Sequence, residues 1–218
     1  MLSIISTPIG NLEDISFRAI RALKEADVIV CEDTRETIKL LKSYQIPPRP
    51  LISFYEEVES AKTPEILNAA KELKVALVSD AGTPLISDPG YKLVREAIAR
   101  GIKVESIPGP CAAITALTVS GLPPDKFLFL GYPPEKQSHT AKLLESLKSL
   151  AFGTTIIFYV SPHKFQKFLT LLTSLNPPNI VVCRELTKMF EEVWQGTISE
   201  ALIKFPKPKG EFVILFHV

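Results

Sequence analysis

The stretch VALVSDAGTPLISDPGYKLVREAIARGIKVESI, residues 75–107, carries the pattern that decides the fold. VALVS is an apolar run of strand length, and it is followed by a loop that is rich in glycine and proline. The segment Tyr91–Arg100 then reads as a helix that stops at Gly101, where a glycine is expected, and Ile102–Ile107 is again strand-like. A strand, a helix and a second strand in this order predict a βαβ unit.

The same alternation extends in both directions, which predicts an α/β fold class for the whole chain. The strands are continuously apolar, as is typical of parallel strands that are buried on both faces. SGLPPD, residues 120–125, resembles a linker, and the pattern restarts after it, so we predict two α/β domains at 1–119 and 120–218. The other predicted strands are Leu2–Ser6, Asp27–Cys31, Leu51–Phe54, Phe127–Tyr132, Thr154–Tyr159, Asn179–Leu186 and Glu211–Val218, the last of which we expect to dock in a sheet. Three further helices are predicted to begin near Phe17 with Asp14 or Ser16 as cap, at Arg35 with Thr34 as cap, and at Pro64 with Thr63 as cap. The remaining helices are predicted to begin at about Ser138, Pro162 and Ile198. The helix from Ser138 should reach about Leu150, and the helix from Pro162 about Leu175.

Charge and cysteine content narrow the class of protein. The net charge of the 218 residues is +1, whereas nucleic-acid-binding domains usually have a pI above about 9, although a local basic patch is compatible with this value. Cys31, Cys111 and Cys183 lack the spacing of a disulfide framework or a zinc site. The sequence has neither a signal-peptide pattern nor an apolar run of about 20 residues, so we expect a cytoplasmic protein without membrane association.

Loops at the carboxyl ends of strands are where open α/β sheets bind ligands. DAGTPLISDPG, residues 80–90, is the strongest candidate, because its glycines permit close approach and Asp80 or Asp88 could bind ribose hydroxyls or a cationic group. TPIGN, residues 7–11, could pass close to a ligand through Pro8 and Gly10, or be a plain turn. PGPCAAITAL, residues 108–117, either presents free amides at a helix N-terminus or packs tightly against the sheet.

Charged residues follow two further strands. In EDTR, residues 32–35, Glu32 or Asp33 could accept a proton and Arg35 could hold a phosphate, although a helix cap with an ion-pair cluster explains the same residues. RELTKMFEEVWQG, residues 184–196, is as consistent with a solvated charged face as with a functional site. Within it, Trp194 fits a core position better than a role in stacking on a base.

Several common site classes lack their sequence pattern. Neither GxGxxG nor GxxxxGK[ST] occurs, so the usual dinucleotide and P-loop interpretations have no support. The nucleophile motif GxSxG is absent, the three histidines are spread out, and no His/Cys/Asp group has metal-ligand spacing, so we expect no metal.

The segments STPIGNLEDI, CEDTR, VALVSDAGTPLISDPGY, IPGPCAAITAL, SGLPPDKFLFLGY, FYVSPHK and CRELTKMFEEVWQG, in this order, resemble the ribosomal RNA small-subunit methyltransferase I family of the tetrapyrrole methylase fold. The resemblance covers nearly the whole chain. It implies two α/β domains with S-adenosylmethionine in the cleft between them, a homodimer, and 2′-O-methylation of a cytidine in small-subunit ribosomal RNA.

The resemblance also implies roles for single residues. EDTR and RELTK, with Arg35, Arg184, Glu185 and Lys188, would face the substrate. The chain departs from the family at Cys111, Val160 and Lys164, where serine, glutamate and arginine are usual. The cofactor site would be lined by Pro8, Gly10, Gly82, Thr83, Pro84, Leu85, Ser87, Cys111, Ala112, Tyr159 and Val160, with Asp80 added from its place in the same loop.

Methyl transfer from a sulfonium needs alignment and no metal, and a ribose hydroxyl needs a nearby base. We therefore expect Glu32 or Asp33 to take the proton and Arg35, Arg184 and Lys188 to hold phosphates. DNA, which has no 2′-hydroxyl, should not be a substrate. The alternatives are methylation of a tetrapyrrole or another small molecule, a cofactor- or RNA-binding module without catalysis and, with the weakest support, a nicotinamide oxidoreductase.

Overall fold

The computed structural model describes residues 1–149 and 153–218, which form two sheets with helices packed on them. A single 3-10 turn, Leu12–Asp14, precedes the first helix. The strands are β1 (Leu2–Ile5), β2 (Val28–Cys31), β3 (Leu51–Ser53), β4 (Val75–Leu77), β5 (Val104–Ile107), β6 (Phe127–Phe129), β7 (Thr155–Val160), β8 (Ile180–Arg184), β9 (Glu192–Gly196) and β10 (Phe212–His217). The helices are α1 (Phe17–Glu25), α2 (Thr34–Ser43), α3 (Glu59–Glu72), α4 (Tyr91–Ala99), α5 (Ala112–Val119), α6 (Gln137–Leu147), α7 (Pro162–Leu172) and α8 (Ile198–Lys204).

The chain divides into two compact units, Met1–Cys111 and Ala112–Val218. The predicted boundary between residues 119 and 120 differs from this division by one helix. The helix α5 belongs to the second unit because it contacts β7 and β10.

The first sheet is parallel throughout, in the order β3-β2-β4-β1-β5. Successive strand residues point to opposite faces, so Leu2 and Ile4 pack in one core while Ile5 packs in another. The first of these cores includes buried residues of α3 and α4, and the second includes buried residues of α1 and α2. This layered arrangement confirms the parallel, two-sided burial that the apolar strands predict, and it brings the carboxyl ends of five strands to one edge.

The second sheet is mixed, in the order β6-β7-β10-β8-β9, with only β6 and β7 parallel. The strand β10 docks between β7 and β8, as expected for the last predicted strand. The strand β9 was not predicted. Its residues alternate between half-buried and exposed, and Trp194 packs against the core with its ring 6.0 Å from that of Phe205. Trp194 is half-buried against this core, which agrees in part with its predicted core position.

Most helix boundaries agree with the predicted ones, and one start is wrong. Ser16 caps α1, one of the two predicted caps. The helix α3 begins at Glu59 and not at Pro64, because its buried positions extend back through Thr63 to Glu59, and the Thr63 hydroxyl donates to the Glu59 carbonyl at 2.7 Å. The helix α6 ends at Leu147, and Leu150, where the prediction placed its end, lies outside the described residues.

Candidate functional site

Loops after β1, β4 and β5 are bonded to one another at the carboxyl edge of the first sheet. Thr7 and Gly82 form an antiparallel bridge, with N···O distances of 2.8 and 3.1 Å. The hydroxyl oxygens of Ser6 and Thr83 are 3.0 Å apart, and the Thr83 hydroxyl donates to the carbonyl of Pro110 at 2.8 Å. Three separate sequence motifs are therefore held together as one structure.

A side chain at position 82 would be strained and crowded. The φ of Gly82 is +84°, and a Cβ placed on it would lie 3.2 Å from Cγ2 of Ile9. Pro8 is buried, whereas Gly10 is exposed. An isolated turn at residues 7–11, the alternative that the sequence left open, does not account for the bridge to Gly82.

The rest of the loop, up to Gly90, has a strained backbone. Leu85 and Ser87 have φ values of 74° and 66°, which side-chain-bearing residues rarely adopt. Such strain persists only where the surroundings impose it, and it often occurs at ligand sites. Pro84 is buried within the loop, and Ser87 is exposed along the same cleft as Glu32 and Asp88.

Glu59 holds the far end of this loop, a role that the sequence analysis did not predict. Its buried carboxylate accepts from the backbone N–H groups of Gly90 and Lys92, each at 3.1 Å. Lys92 is in the first turn of α4, and Gly90 is the cap residue of that helix, which has no side chain of its own. Because 31 residues separate Glu59 from Gly90, no local sequence pattern could predict the contact.

Carboxylates gather at the same edge. Asp80 accepts from the backbone N–H of Asp33 at 3.0 Å, which ties the loop after β4 to the loop after β2. Burial raises the pKa of Glu32, and the nearby charges of Asp80 and Asp88 raise it further. Burial raises the pKa of Asp80 as well and brings that of Asp88 to about 6. The edge therefore favours a cationic or proton-releasing ligand over an anion.

Asp33 has a different environment from Glu32. Its carboxylate caps α2 by accepting from the Arg35 amide at 2.8 Å and also pairs with the Arg35 guanidinium at 2.6 Å. The hydrogen bonds from Arg35 lower the pKa of Asp33 to about 2. The predicted cap was Thr34, so the cap lies one residue earlier. Arg35 already has a carboxylate partner, which lowers its capacity to hold a phosphate.

In the second unit, Tyr159 lies at the start of α5. Its hydroxyl accepts from the backbone N–H of Ala113 at 3.0 Å, next to Ala112. Val160, by contrast, is buried in the core of that unit, so only its main chain could touch a ligand. Cys111 is half-buried and is the last residue of the first unit.

The charged residues at the end of β8 and just after it have partners within the second unit. The Arg184 guanidinium donates to the carbonyl of Lys209 at 2.9 Å and lies 3.7 Å from Glu192. The ammonium of Lys188 lies 3.2 Å from Glu185 and 3.2 Å from Glu211. The structure thus brings Arg184, Glu185 and Lys188 together, but in contacts that hold the chain in place.

Within residues 1–149 and 153–218, no group of three His, Cys, Asp or Glu side chains is arranged to share a metal ion. In the same part of the chain, none of the helices combines the length and apolarity that a bilayer crossing requires.

Comparison with known proteins identifies sequence relatives. Residues 1–202 match the family model of Tetrapyrrole (Corrin/Porphyrin) Methylases. The chain is 45% identical to Ribosomal RNA small subunit methyltransferase I of Halalkalibacterium halodurans, over 98% of this chain and 74% of that protein. It is 44% identical to the protein of the same name from Thermotoga maritima, over 98% of this chain and 96% of that protein.

Two solved structures share the fold at low sequence identity. Diphthine synthase superposes with a TM-score of 0.75 at 17% identity, covering 99% of this chain and 88% of that one. Uroporphyrin-III-C-methyltransferase from Thermus thermophilus superposes with a TM-score of 0.69 at 18% identity, covering 99% and 93%. At these identities the likeness shows the fold alone, and it agrees with the predicted fold class.

Proposed function

The chain belongs to the ribosomal RNA small subunit methyltransferase I family of the tetrapyrrole methylases, and from this premise we propose that it methylates the ribose 2′-hydroxyl of a cytidine in small-subunit ribosomal RNA. It is an S-adenosylmethionine-dependent methyltransferase. The names of its relatives support the RNA substrate, and the family resemblance supports the ribose position. The observation that carries the proposal is the position of Glu32: its half-buried carboxylate, whose pKa is raised, lies at the loop-rich edge of the first sheet.

The carboxyl edge of the first sheet suits S-adenosylmethionine in two respects. The cofactor has two positive groups, a sulfonium and an ammonium, and one negative carboxylate. Its net charge is therefore positive, and the carboxylates of Asp80 and Asp88 have the complementary negative charge. The close backbone approach at Gly82 and the strained turn at Leu85 and Ser87 form a cradle that is held in place before any ligand binds. When bound, the cofactor supplies a methyl group activated by positively charged sulfur. We propose that Pro8, Gly10, Thr83, Pro84, Cys111, Ala112, Tyr159 and the main chain of Val160 complete its contacts.

Glu32 is the better of the two candidates for the base. A base works best when its pKa lies near the working pH, and burial together with neighbouring carboxylates moves the pKa of Glu32 upward in that direction. The pKa of Asp33, at about 2, makes it a poor proton acceptor, and its carboxylate is already engaged by Arg35. In the proposed step, the hydroxyl oxygen bonds to the methyl carbon, the sulfur–methyl bond breaks, and the hydroxyl proton passes to Glu32.

The experiment compares Glu32→Gln with Asp33→Asn, its matched control. Undermethylated small ribosomal subunits are incubated with radiolabelled S-adenosylmethionine, and the RNA is then digested with alkali. Label in an alkali-resistant dinucleotide indicates 2′-O-methylation, because the modified ribose cannot assist cleavage of its own phosphodiester bond. We expect Glu32→Gln to lower kcat about 100-fold or more, with cofactor affinity nearly unchanged, since general-base catalysis is worth roughly 10²–10⁴-fold. Asparagine can still cap α2, so Asp33→Asn should have a much smaller effect.

Equal losses in both variants would contradict the assignment of Glu32. Label in mononucleotides would indicate base methylation and overturn the ribose mechanism. Cofactor binding without any transfer to RNA would favour a small-molecule substrate or a module without catalysis. The homodimer and the cytoplasmic location stay predictions.

A further inference from the structure

Charge is distributed unevenly between the two units. Met1–Cys111 contains 14 Lys and Arg against 16 Asp and Glu, a net charge of −2, whereas Ala112–Val218 contains 11 against 8, a net charge of +3. The carboxylates at the edge of the first sheet repel phosphate, and Arg35 there is paired with Asp33. If RNA is the substrate, most of the attraction for its backbone must therefore come from other residues.

Two turns of the second unit, one after β8 and one before β10, are joined by hydrogen bonds and ion pairs. The first turn spans residues 185–191 and the second spans residues 206–211. The carboxylate of Glu185 accepts from the backbone N–H of Glu211 at 2.8 Å, and Arg184 and Lys188 add the contacts to the second turn described above. A Cβ placed on Gly210, whose φ is +92°, would lie 2.6 Å from Oε1 of Glu185, so this packing requires a glycine. We call residues 185–191 and 206–211 together the two-turn surface.

The two-turn surface presents apolar and cationic side chains to solvent. Met189 is 91% exposed and Phe190 is 67% exposed. Lys207 and Lys209 are exposed on the second turn, and within the described residues their side chains make no ion pair. The nearby carboxylates are already occupied: Glu211 pairs with Lys188, and Glu191 accepts from the Thr187 amide.

We propose that the two-turn surface binds a single-stranded segment of the RNA substrate, with Phe190 stacked on an unpaired base and Lys207 and Lys209 on phosphates. This inference rests on the proposed function. Proteins recognise single-stranded RNA by stacking its bases on aromatic side chains and following its backbone with cations. Arg184, Glu185 and Lys188 then act as positioning residues, because their charges are used to hold the two turns together.

The test measures how tightly the full chain binds a short, unstructured, fluorescein-labelled RNA, and how efficiently it methylates undermethylated small subunits. Phe190→Ala should weaken RNA binding at least about fivefold, since a stacked base is worth about 1–3 kcal/mol. The double variant Lys207→Gln/Lys209→Gln should lower the slope of log affinity against log salt by about 1.4, because each phosphate contact on a single strand contributes about 0.7. In both variants KM for the subunits should rise while kcat and cofactor affinity stay unchanged.

The chain offers matched controls. Ile203 is a 78% exposed apolar residue on α8, so Ile203→Ala removes a similar exposed side chain elsewhere in the same unit. Lys71→Gln/Lys142→Gln makes the same change in net charge at exposed positions on α3 and α6. Both controls should bind RNA like the unsubstituted protein.

Three results would overturn the inference, and each differs from failure of the proposed function. If the unsubstituted protein methylates RNA and the variants bind it equally well, the RNA lies elsewhere. If the controls weaken binding as much as the variants, only net charge matters. If Phe190→Ala changes the mass of the protein in solution and leaves its RNA affinity unchanged, the surface is an interface between copies of the chain. Failure of the unsubstituted protein to methylate any RNA would instead refute the proposed function, whichever way the variants bind.

Discussion

Replacing Glu59 tests whether this residue of α3 stabilises the end of the long loop after β4. Glu59 is 6% exposed, and its carboxylate accepts from the amides of Gly90 and Lys92 at 3.1 Å each. Hydrogen bonds to a charged group are worth about 1.5–3 kcal/mol, and a negative charge at a partly buried helix N-terminus is worth up to about 2 kcal/mol. These contributions overlap, because the same two bonds carry the charge–dipole attraction.

We expect Glu59→Ala to lower the free energy of unfolding by about 3 kcal/mol, because it leaves the buried Gly90 amide without a partner. Glu59→Gln keeps an acceptor oxygen and loses the charge, so it should cost about 1 kcal/mol. Urea denaturation followed by far-UV circular dichroism gives these values, and amide hydrogen exchange at residues 90–92 should speed up in the alanine variant. Cofactor affinity should fall as well, since Gly90 ends the loop.

Glu65 provides the control on the same helix. It is exposed and pairs with Lys62 at 2.9 Å, so Glu65→Ala should change stability by less than about 0.5 kcal/mol. If Glu59→Ala costs less than about 1 kcal/mol, or no more than Glu65→Ala, the proposed capping of α4 by α3 is wrong.

Two further predictions concern the same edge. Gly82→Ala should destabilise the protein by about 2–3 kcal/mol and weaken cofactor binding. Gly101 is the control, because its φ is +70° and nothing lies within 4 Å of the added Cβ, so Gly101→Ala should cost only the backbone strain of about 1 kcal/mol. Equal losses of unfolding free energy in urea denaturation would show that the approach of Ile9 is unimportant. The pKa of Asp88 is raised from 3.8 to about 6 in the folded protein, so the native state holds this proton more tightly than the unfolded chain and loses stability as pH rises between those values. Asp88→Asn should therefore stabilise the protein more at pH 8 than at pH 5 when urea midpoints are compared, and an equal difference at both values would contradict the raised pKa.

The first sheet could be predicted because its inner strands β1, β2 and β4 are mostly apolar and buried on both faces, and because its helices have local stop signals. Gly101 ends α4 as expected, and Ser16 caps α1. The strand β9 could not be found from an apolar run, because only one of its faces is covered and Glu192 and Gln195 give it a charged and polar appearance. The alternation around Trp194 was the available signal.

The site could be predicted in part. The three loops that carry glycines and prolines do meet at Gly82, since parallel strands place their carboxyl ends at one edge. Contacts between distant segments had no local signal: the cap that Glu59 supplies and the pairing of Lys188 with Glu211 depend on packing of the folded chain. The sequence also left Glu32 and Asp33 as equal candidates: Glu32 differs through burial and through Asp80 and Asp88 from a distant segment, whereas Asp33 differs through its contact with the neighbouring Arg35.

The place of β10 has a consequence for biosynthesis. This strand is the last of the second sheet in chain order, yet it lies between β7 and β8, so those two strands have only their outer neighbours, β6 and β9, to pair with until residue 217 has left the ribosome. The first unit is complete at residue 111, and synthesis of the remainder takes roughly 5–20 s at typical elongation rates of about 5–20 residues per second. The strand β7 is complete at residue 160, and the 57 residues from there to residue 217 take roughly 3–11 s at the same rates. During that shorter time the apolar edge of β7, with Ile156, Ile157 and Phe158, is unpaired on the side where β10 will add. Nascent chains of this protein should therefore depend on chaperones for the second unit more than for the first.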